Sequence, residues 1–183
     1  MTIYLCLLRA VNVGGRNKVD MARLRAAFER LGFTSVRTYI NSGNVVFAGP
    51  CRDTAELTAG IEAEIEREFG LAIAVVVWDL ERLTALVDTL PAEWVDDSES
   101  RCNVLFLWPE VDRADIVDDL PLNREVENAR YLPGAVIWRV DRSRATSSRM
   151  TRLVGTDLYR KLTIRTPNTI RKLHDLMRAG VPD

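Results

Sequence analysis

The sequence is poor in the residues that most often carry chemistry. It has a single histidine, His174, with no serine or cysteine nucleophile signature beside it, so a hydrolytic triad has no footing. His174 follows Leu173 on an amphipathic segment and reads as a surface or helix-end residue. Its three cysteines, Cys6, Cys51 and Cys102, are odd in number, far apart and without CxxC spacing. That pattern argues against a disulfide framework and a zinc site, and it fits a reducing compartment. No carboxylates fall at metal-ligand spacing, and neither the Walker A nor the GxGxxG spacing occurs. No metal and no cofactor are expected. The apolar run Ile3–Leu8 has no basic residue before it and stops at Arg9, too short for a signal peptide or a membrane span. A cytoplasmic protein without a membrane partner is the expectation.

What is present suffices for a packed core. The chain has 183 residues, 47% hydrophobic and 28% charged, which suits one domain or two small ones and leaves no reason to expect disorder. The formal net charge of −1 hides a strong asymmetry. Residues 1–50 carry a net +5, residues 51–100 a net −10, residues 101–141 a net −3 and residues 142–183 a net +7. Two readings follow: the basic ends neutralise the acidic middle inside the molecule, or they form a surface for an anionic partner.

The order of elements is legible from periodicity and punctuation. Ile3–Leu8 is a buried strand. Asp20 caps a helix with Met21, Leu24, Phe28 and Leu31 at helical spacing, and Gly32 closes it in the left-handed conformation. Ser35–Ile40 and Val45–Ala48 flank Asn41-Ser42-Gly43-Asn44, a hairpin signal. Asp53 opens a second helix, with Leu57, Ile61, Ile65 and Phe69 on one face, that ends at Gly70 before the strand Ala72–Trp78. Residues 1–78 therefore read β-α-β-β-α-β, with both helices burying an apolar stripe against one face of a four-stranded antiparallel sheet. In the second half, Asp79 caps a helix to about Leu90 and Pro91–Arg101 is an acidic linker. A strand at Asn103–Trp108, a short acidic helix at Asp112–Leu120 and a hairpin around Pro133-Gly134 follow. Two helices are expected to finish the chain, the last with Thr166 as N-cap, Pro167 at its first position and Gly180 after its end. The fold class is α+β: two ferredoxin-like subdomains, the first at 1–78 and a less regular second at 79–183.

Topology then places the candidate sites. In the β-α-β-β-α-β order, the loop after the first strand and the tip of the second–third hairpin lie at one end of the sheet. Asn12–Lys18 should therefore lie close to Asn41–Asn44, with Arg9 ending the neighbouring strand. Gly14 and Gly15 with Lys18 stand between a strand and a helix, where backbone N–H groups can cradle an anion, or where a tight turn simply needs positive φ. Tyr39, Asn41, Ser42, Gly43 and Asn44 offer hydroxyl, amide and backbone groups, or serve turn geometry. Arg149 lies in a stretch where Arg142, Arg144 and Arg152 alternate with Ser143, Thr146, Ser147, Ser148 and Thr151. Guanidiniums interleaved with hydroxyls suit phosphate, and they also suit a solvated linker.

Several of these stretches are familiar together. Leu7-Leu8-Arg9, Asn12-Val13-Gly14-Gly15, Asn17-Lys18-Val19, Leu31-Gly32-Phe33, Thr38-Tyr39-Ile40, Ser42-Gly43-Asn44-Val45 and Phe47 resemble a bacterial family catalogued as domain of unknown function 1697. Arg165, Asn168, Thr169 and Lys172-Leu173 resemble that family's closing motif. The chain departs from it at Ala10-Val11, where Gly-Ile is usual, and at Thr166-Pro167, where Asn-Trp is usual. The resemblance implies two α+β subdomains of ferredoxin-like character and adds Arg165 and Asn168 to the candidate site residues. It implies no activity. The functional readings that remain are a binding module for a phosphate-bearing ligand (nucleic acid or nucleotide-like), an enzyme of unknown reaction at the same rim, and a protein-interaction module.

Overall fold

Thr2–Leu8, apolar on both of its faces, forms the strand β1 at the heart of the first of two sheets. The computed structural model describes residues 1–180 and divides into two compact units. Unit 1 comprises residues 1–85 with the C-terminal residues from Lys172, and unit 2 comprises residues 86–171.

In unit 1, β1 is followed by α1 (Met21–Arg30), β2 (Thr34–Tyr39), β3 (Asn44–Gly49), α2 (Thr54–Phe69) and β4 (Val75–Asp79). The sheet order is β2-β3-β1-β4 and every pairing is antiparallel. Register places Tyr4 opposite Phe47, Cys6 opposite Val45 and Val77, and Leu8 opposite Val75. These residues share one face of the sheet and one core cluster with Leu24 and Phe28 of α1 and with Leu57, Ile61 and Ile65 of α2. Both helices thus bury their stripes on the same face, as their periodicity requires, each such side chain contributing about 1.5–3 kcal/mol. Phe47 is the centre of an aromatic group, stacked on Tyr4 at 5.4 Å and edge-on to Phe28 at 5.2 Å. The opposite face, with Leu5, Leu7, Val46 and Trp78, is buried as well, which explains why β1 reads as an unbroken apolar run instead of an alternation.

Local signals set the helix ends. The Asp20 carboxylate accepts from the Arg23 N–H at 2.8 Å, and the Asp53 carboxylate from the Ala55 N–H at 2.8 Å. Gly32 at φ +84° and Gly70 at φ +66° end the two helices. Unit 1 also includes part of α3 (Leu80–Thr89) and the end of α6 (Pro167–Ala179), with Leu83, Leu173 and Met177 buried. His174 lies here too, and its placement corrects the surface reading. It is 7% exposed, with Nε2 3.0 Å from Thr84 Oγ1. Since that hydroxyl already donates to the Leu80 carbonyl at 2.7 Å, the imidazole Nε2 is the donor to it.

Unit 2 holds β5 (Ser100–Leu107), α4 (Ile116–Asp119), β6 (Glu127–Leu132), β7 (Ala135–Asp141), α5 (Asp157–Arg160) and β8 (Leu162–Arg165). Its sheet order is β6-β7-β5-β8, again antiparallel throughout. The architecture is α+β, with two four-stranded antiparallel sheets. Two corrections belong here. The stretch expected as the first of two closing helices is instead a series of 3₁₀ turns (Arg142–Ser147 and Met150–Leu153), the single turn α5 and the strand β8. A four-residue strand that pairs with β5, some sixty residues earlier, leaves almost no local signature. The acidic stretch 91–101 is ordered as well as connecting. The Asp97 carboxylate accepts from the Glu99 and Ser100 N–H groups, both at 2.8 Å. Those bonds, Ser100's first, hold it below the usual carboxylate range. Among the described residues no helix is long and apolar enough to cross a membrane.

Candidate functional site

The two glycine-bearing loops of unit 1 meet as the element order requires. The Asn12 amide donates to the Asn41 carbonyl at 3.0 Å and to the Val19 carbonyl at 2.9 Å, while its oxygen accepts from the Val19 N–H at 2.9 Å. The Asn12 N–H donates to Asn17 O at 3.1 Å and the Arg16 N–H to Val13 O at 3.1 Å. Residues 12–17 are therefore a miniature hairpin, with Gly14 at φ +58° and Gly15 at φ +75° in its two central positions. Positive φ at both central residues is the requirement of a type I′ turn, and glycine meets it without strain. The Asn17 amide, donating to Ala10 O at 3.1 Å, closes the base of the hairpin.

On the facing side, Ile40–Ser42 form a 3₁₀ turn that Gly43 ends at φ +70°. A Cβ on Gly43 would sit 2.6 Å from both Leu8 Cβ and Val11 Cγ2, so this position admits glycine on two counts. Its carbonyl accepts from the Leu8 N–H at 2.8 Å, tying the turn to the end of β1. Asn44 is fully buried, and its amide donates to Tyr39 O at 3.0 Å.

Strain gathers at this rim. Among the described residues five non-glycine residues have positive φ, and four of them, Ala10, Asn12, Asn17 and Ile40, lie in these two loops. For β-branched Ile40 at φ +48° the conformation is a genuine outlier, persisting only where surroundings over-determine it. Two of the exposed large apolar side chains, Val13 at 66% and Ile40 at 51%, stand here as well.

The rim's charges are one-sided. Arg9, Arg16 and Lys18 lie within residues 9–19, a stretch without an acid. Arg16 and Lys18 are exposed, and among the described residues no carboxylate pairs with either. Elsewhere the basic N-terminal segment is largely neutralised by α2. Arg23 pairs with Glu68 at 2.8 Å, and Arg30 with Glu64 at 2.9 Å and Glu68 at 2.5 Å. The hydrogen bond from Arg23, and then the charge of Arg30, hold the Glu68 carboxyl below its ordinary range despite some desolvation. Internal neutralisation therefore accounts for α1, and what it leaves over is concentrated on the loops.

The remaining candidates belong to unit 2, where Arg165 is buried while Asn168 and Arg149 are exposed. Arg165 is 8% exposed and donates to Thr163 Oγ1 at 3.0 Å and Ile164 O at 2.8 Å. Asn168 clamps the backbone of Asp96, donating to its carbonyl at 3.0 Å and accepting from its N–H at 3.3 Å. Arg149 is exposed, with its backbone N–H bound to Glu127 at 3.1 Å.

That glutamate is a residue that sequence reasoning missed. Glu127 is 4% exposed and accepts four hydrogen bonds: from Trp138 Nε1 at 3.1 Å, Ser148 Oγ at 2.6 Å, Asn123 N at 2.6 Å and Arg149 N at 3.1 Å. Burial alone would raise its pKa. The four donors outweigh burial and keep it below the ordinary glutamate value, so it is ionised and saturated. A carboxylate with every lone pair engaged is an anchor, not a proton acceptor. Among the described residues no group of three or more His, Cys, Asp or Glu could hold a metal ion.

Among curated proteins none matches this chain. A solved structure does: the conserved bacterial protein SP0830 from Streptococcus pneumoniae is similar over 96% of this chain and 98% of its own, at 28% identity and a TM-score of 0.81. Residues 1–138 match the family described as protein of unknown function (DUF1697), well over half of the chain, and the chain belongs to that family.

Proposed function

We propose that this protein is a binding module for a phosphate-bearing partner, and that the partner is nucleic acid, engaged by the 12–18 hairpin and the 40–44 turn. The observation that carries this reading is a pair of exposed cations, Arg16 and Lys18, without an acidic partner among the described residues, on and beside a turn whose shape is fixed by hydrogen bonds. A pre-ordered loop loses little conformational freedom on binding, so charge-assisted contacts to phosphate oxygens are realised almost in full. The exposed N–H groups of a Gly-Gly turn add donors without side-chain obstruction. Val13 and Ile40 supply apolar contact beside those charges, as the edges and faces of bases demand.

Residues 13–18 are all exposed, which favours a polymer over a free nucleotide, since small ligands favour concave sites. The strand orders of the two sheets support reading each unit as ferredoxin-like, a fold that by itself assigns no function.

The test is a titration of labelled single- and double-stranded oligonucleotides and of common nucleotides at two salt concentrations. Oligonucleotide affinity is expected to fall steeply with salt, because neutralised phosphates release counterions. Lys18→Ala and Arg16→Ala are each expected to weaken binding by about 1 kcal/mol. Flat titrations for every anion at low salt would leave a protein partner for the rim. Tight, saturable binding of a single nucleotide would move the reading toward an enzyme or a small-molecule sensor.

A further inference from the structure

Unit 2 contains a cavity of about 260 Å³ that owes nothing to the loops of unit 1. Its floor follows from strand register. Arg101, Asn103 and Leu105 alternate along β5 and so share one face, with Trp138 of β7 opposite Asn103 and Ile164 of β8 opposite Leu105. The 3₁₀ turn Met150–Leu153 and Val154 form the facing wall, and Val154 is 64% exposed.

The polar groups of the sheet and of residues 148–151 that line the cavity fall into two classes. The Trp138 indole and the Ser148 hydroxyl are committed to Glu127. The Arg101 guanidinium, the Asn103 amide and the Thr151 hydroxyl have no side-chain partner among the described residues. One uncommitted cation, one amide and one hydroxyl thus converge over an apolar floor of Leu105, Trp138 and Ile164. This is the composition of a small-molecule site, in which a few polar groups orient an otherwise apolar ligand. The volume lies just under the range of drug-sized pockets, so the ligand is small.

Charge narrows the class. Glu127 and Arg101 both sit opposite Val140, two strand spacings or roughly 10 Å apart on the same face. A fixed anion therefore stands on the sheet face that also carries Arg101, with the two backbones about 10 Å apart. A dianion would find a single guanidinium and a repelling carboxylate, whereas a planar monoanion matches the guanidinium fork. We propose that this cavity binds a small organic monocarboxylate, its apolar body against Trp138 and Leu105 and its carboxylate on Arg101 and Asn103. The proposal is independent of nucleic-acid binding at the rim, because it involves different residues of a different unit.

The experiment titrates the full-length, isotope-labelled chain with benzoate, phenylacetate and hexanoate, and with benzamide and phenyl phosphate as the neutral and dianionic counterparts. The carboxylates are expected to shift the Trp138 indole N–H and the Thr151 amide resonances saturably. Benzamide and phenyl phosphate are expected to bind about tenfold more weakly, as for the loss of one charge-assisted hydrogen bond. Arg101→Gln, at an exposed position, should weaken carboxylate binding about tenfold, and Lys18→Ala should leave it unchanged. Val154→Trp, at the cavity mouth, should block entry without unfolding the chain. The proposal is overturned if no carboxylate gives a saturable shift at these resonances, or if benzamide or phenyl phosphate binds as well as benzoate. It also falls if affinity survives both Arg101→Gln and Val154→Trp.

Discussion

Both units lay four antiparallel strands in the order second, third, first, fourth, yet only unit 1 joins them with full helices. Its two crossovers are the 10-residue α1 and the 16-residue α2. The matching crossovers of unit 2 are 3₁₀ turns and the four-residue helices α4 and α5. Composition accounts for the difference. Residues 108–126 contain Pro109 and Pro121 around an acidic stretch, and residues 142–161 are rich in Ser and Thr and broken by Gly155. Neither carries an apolar stripe at helical spacing, and Ser and Thr side chains compete for backbone groups where a helix would need them. A helix lays a continuous apolar row on a sheet, whereas a 3₁₀ turn plants single residues such as Leu153. The aromatic group around Phe47 closes the first core, and the broken cover of the second leaves the cavity over Trp138. The difference teaches that one sheet topology can serve as a rigid platform or as a receptacle, depending on what crosses over it.

The largest expected effect sets the two cores directly against each other. Phe47→Ala removes a ring that contacts Tyr4, Phe28 and Phe33, with centroids at 5.4, 5.2 and 4.4 Å, and should cost about 4 kcal/mol. Leu153→Ala truncates a residue that already borders a void, so it should fall near 2 kcal/mol, the low end for such changes. Chemical denaturation gives the magnitudes, and amide hydrogen exchange reports each sheet separately. Equal costs for the two variants would break the comparison.

A smaller effect tests what holds the irregular cover in place. Glu127→Gln keeps the size of the side chain but turns an NH₂ toward donors that it now opposes, and should destabilise unit 2 by about 2 kcal/mol. The pH dependence has a definite sign. Glu127 titrates below the ordinary glutamate value when folded, so its contribution is fully present above the unfolded pKa. That contribution is lost as pH falls through the folded value. Exchange protection of β6 and β7 should therefore decline with acidification in the wild type. The decline should be shallower in Glu127→Gln, while the unit 1 sheet is unaffected by the substitution. Identical acid profiles for the two proteins would remove Glu127 as the anchor.

These cases also show which features could be read from sequence. Asp20, Asp53 and Thr166 act on their own helices within a few residues, so their capping roles are visible locally. The meeting of the two glycine loops is legible too, because it follows from element order alone. The roles of Asn12, Gly43 and Asn44 are not, since turn-building and ligand-binding loops draw on the same residue types. Only the structure turns their groups inward and leaves Arg16 and Lys18 outward. Glu127 gathers Asn123, Trp138 and the adjacent Ser148 and Arg149 from three separate stretches, and β8 exists by pairing with β5. Neither has a local signature.

The smallest expected effect runs in opposite directions in the two units. Ile164 is half-buried on the edge strand β8 and borders the cavity, so Ile164→Phe can place its ring in space already present. Such cavity filling commonly adds about 0.5–1 kcal/mol of stability. Val45 of unit 1 is fully buried opposite Cys6 within a core that both helices close, and Val45→Phe has no such space. Overpacking there should cost about 1–3 kcal/mol through displaced rotamers and backbone. Thermal unfolding of both variants gives the signs, and benzoate titration of Ile164→Phe supplies a second reading, because a filled cavity should no longer admit the probe. A destabilised Ile164→Phe that still binds benzoate as the wild type does would mean that the ring has gone elsewhere. The contrast between a filled and an unfilled core would then fail at the point where it matters for ligand binding.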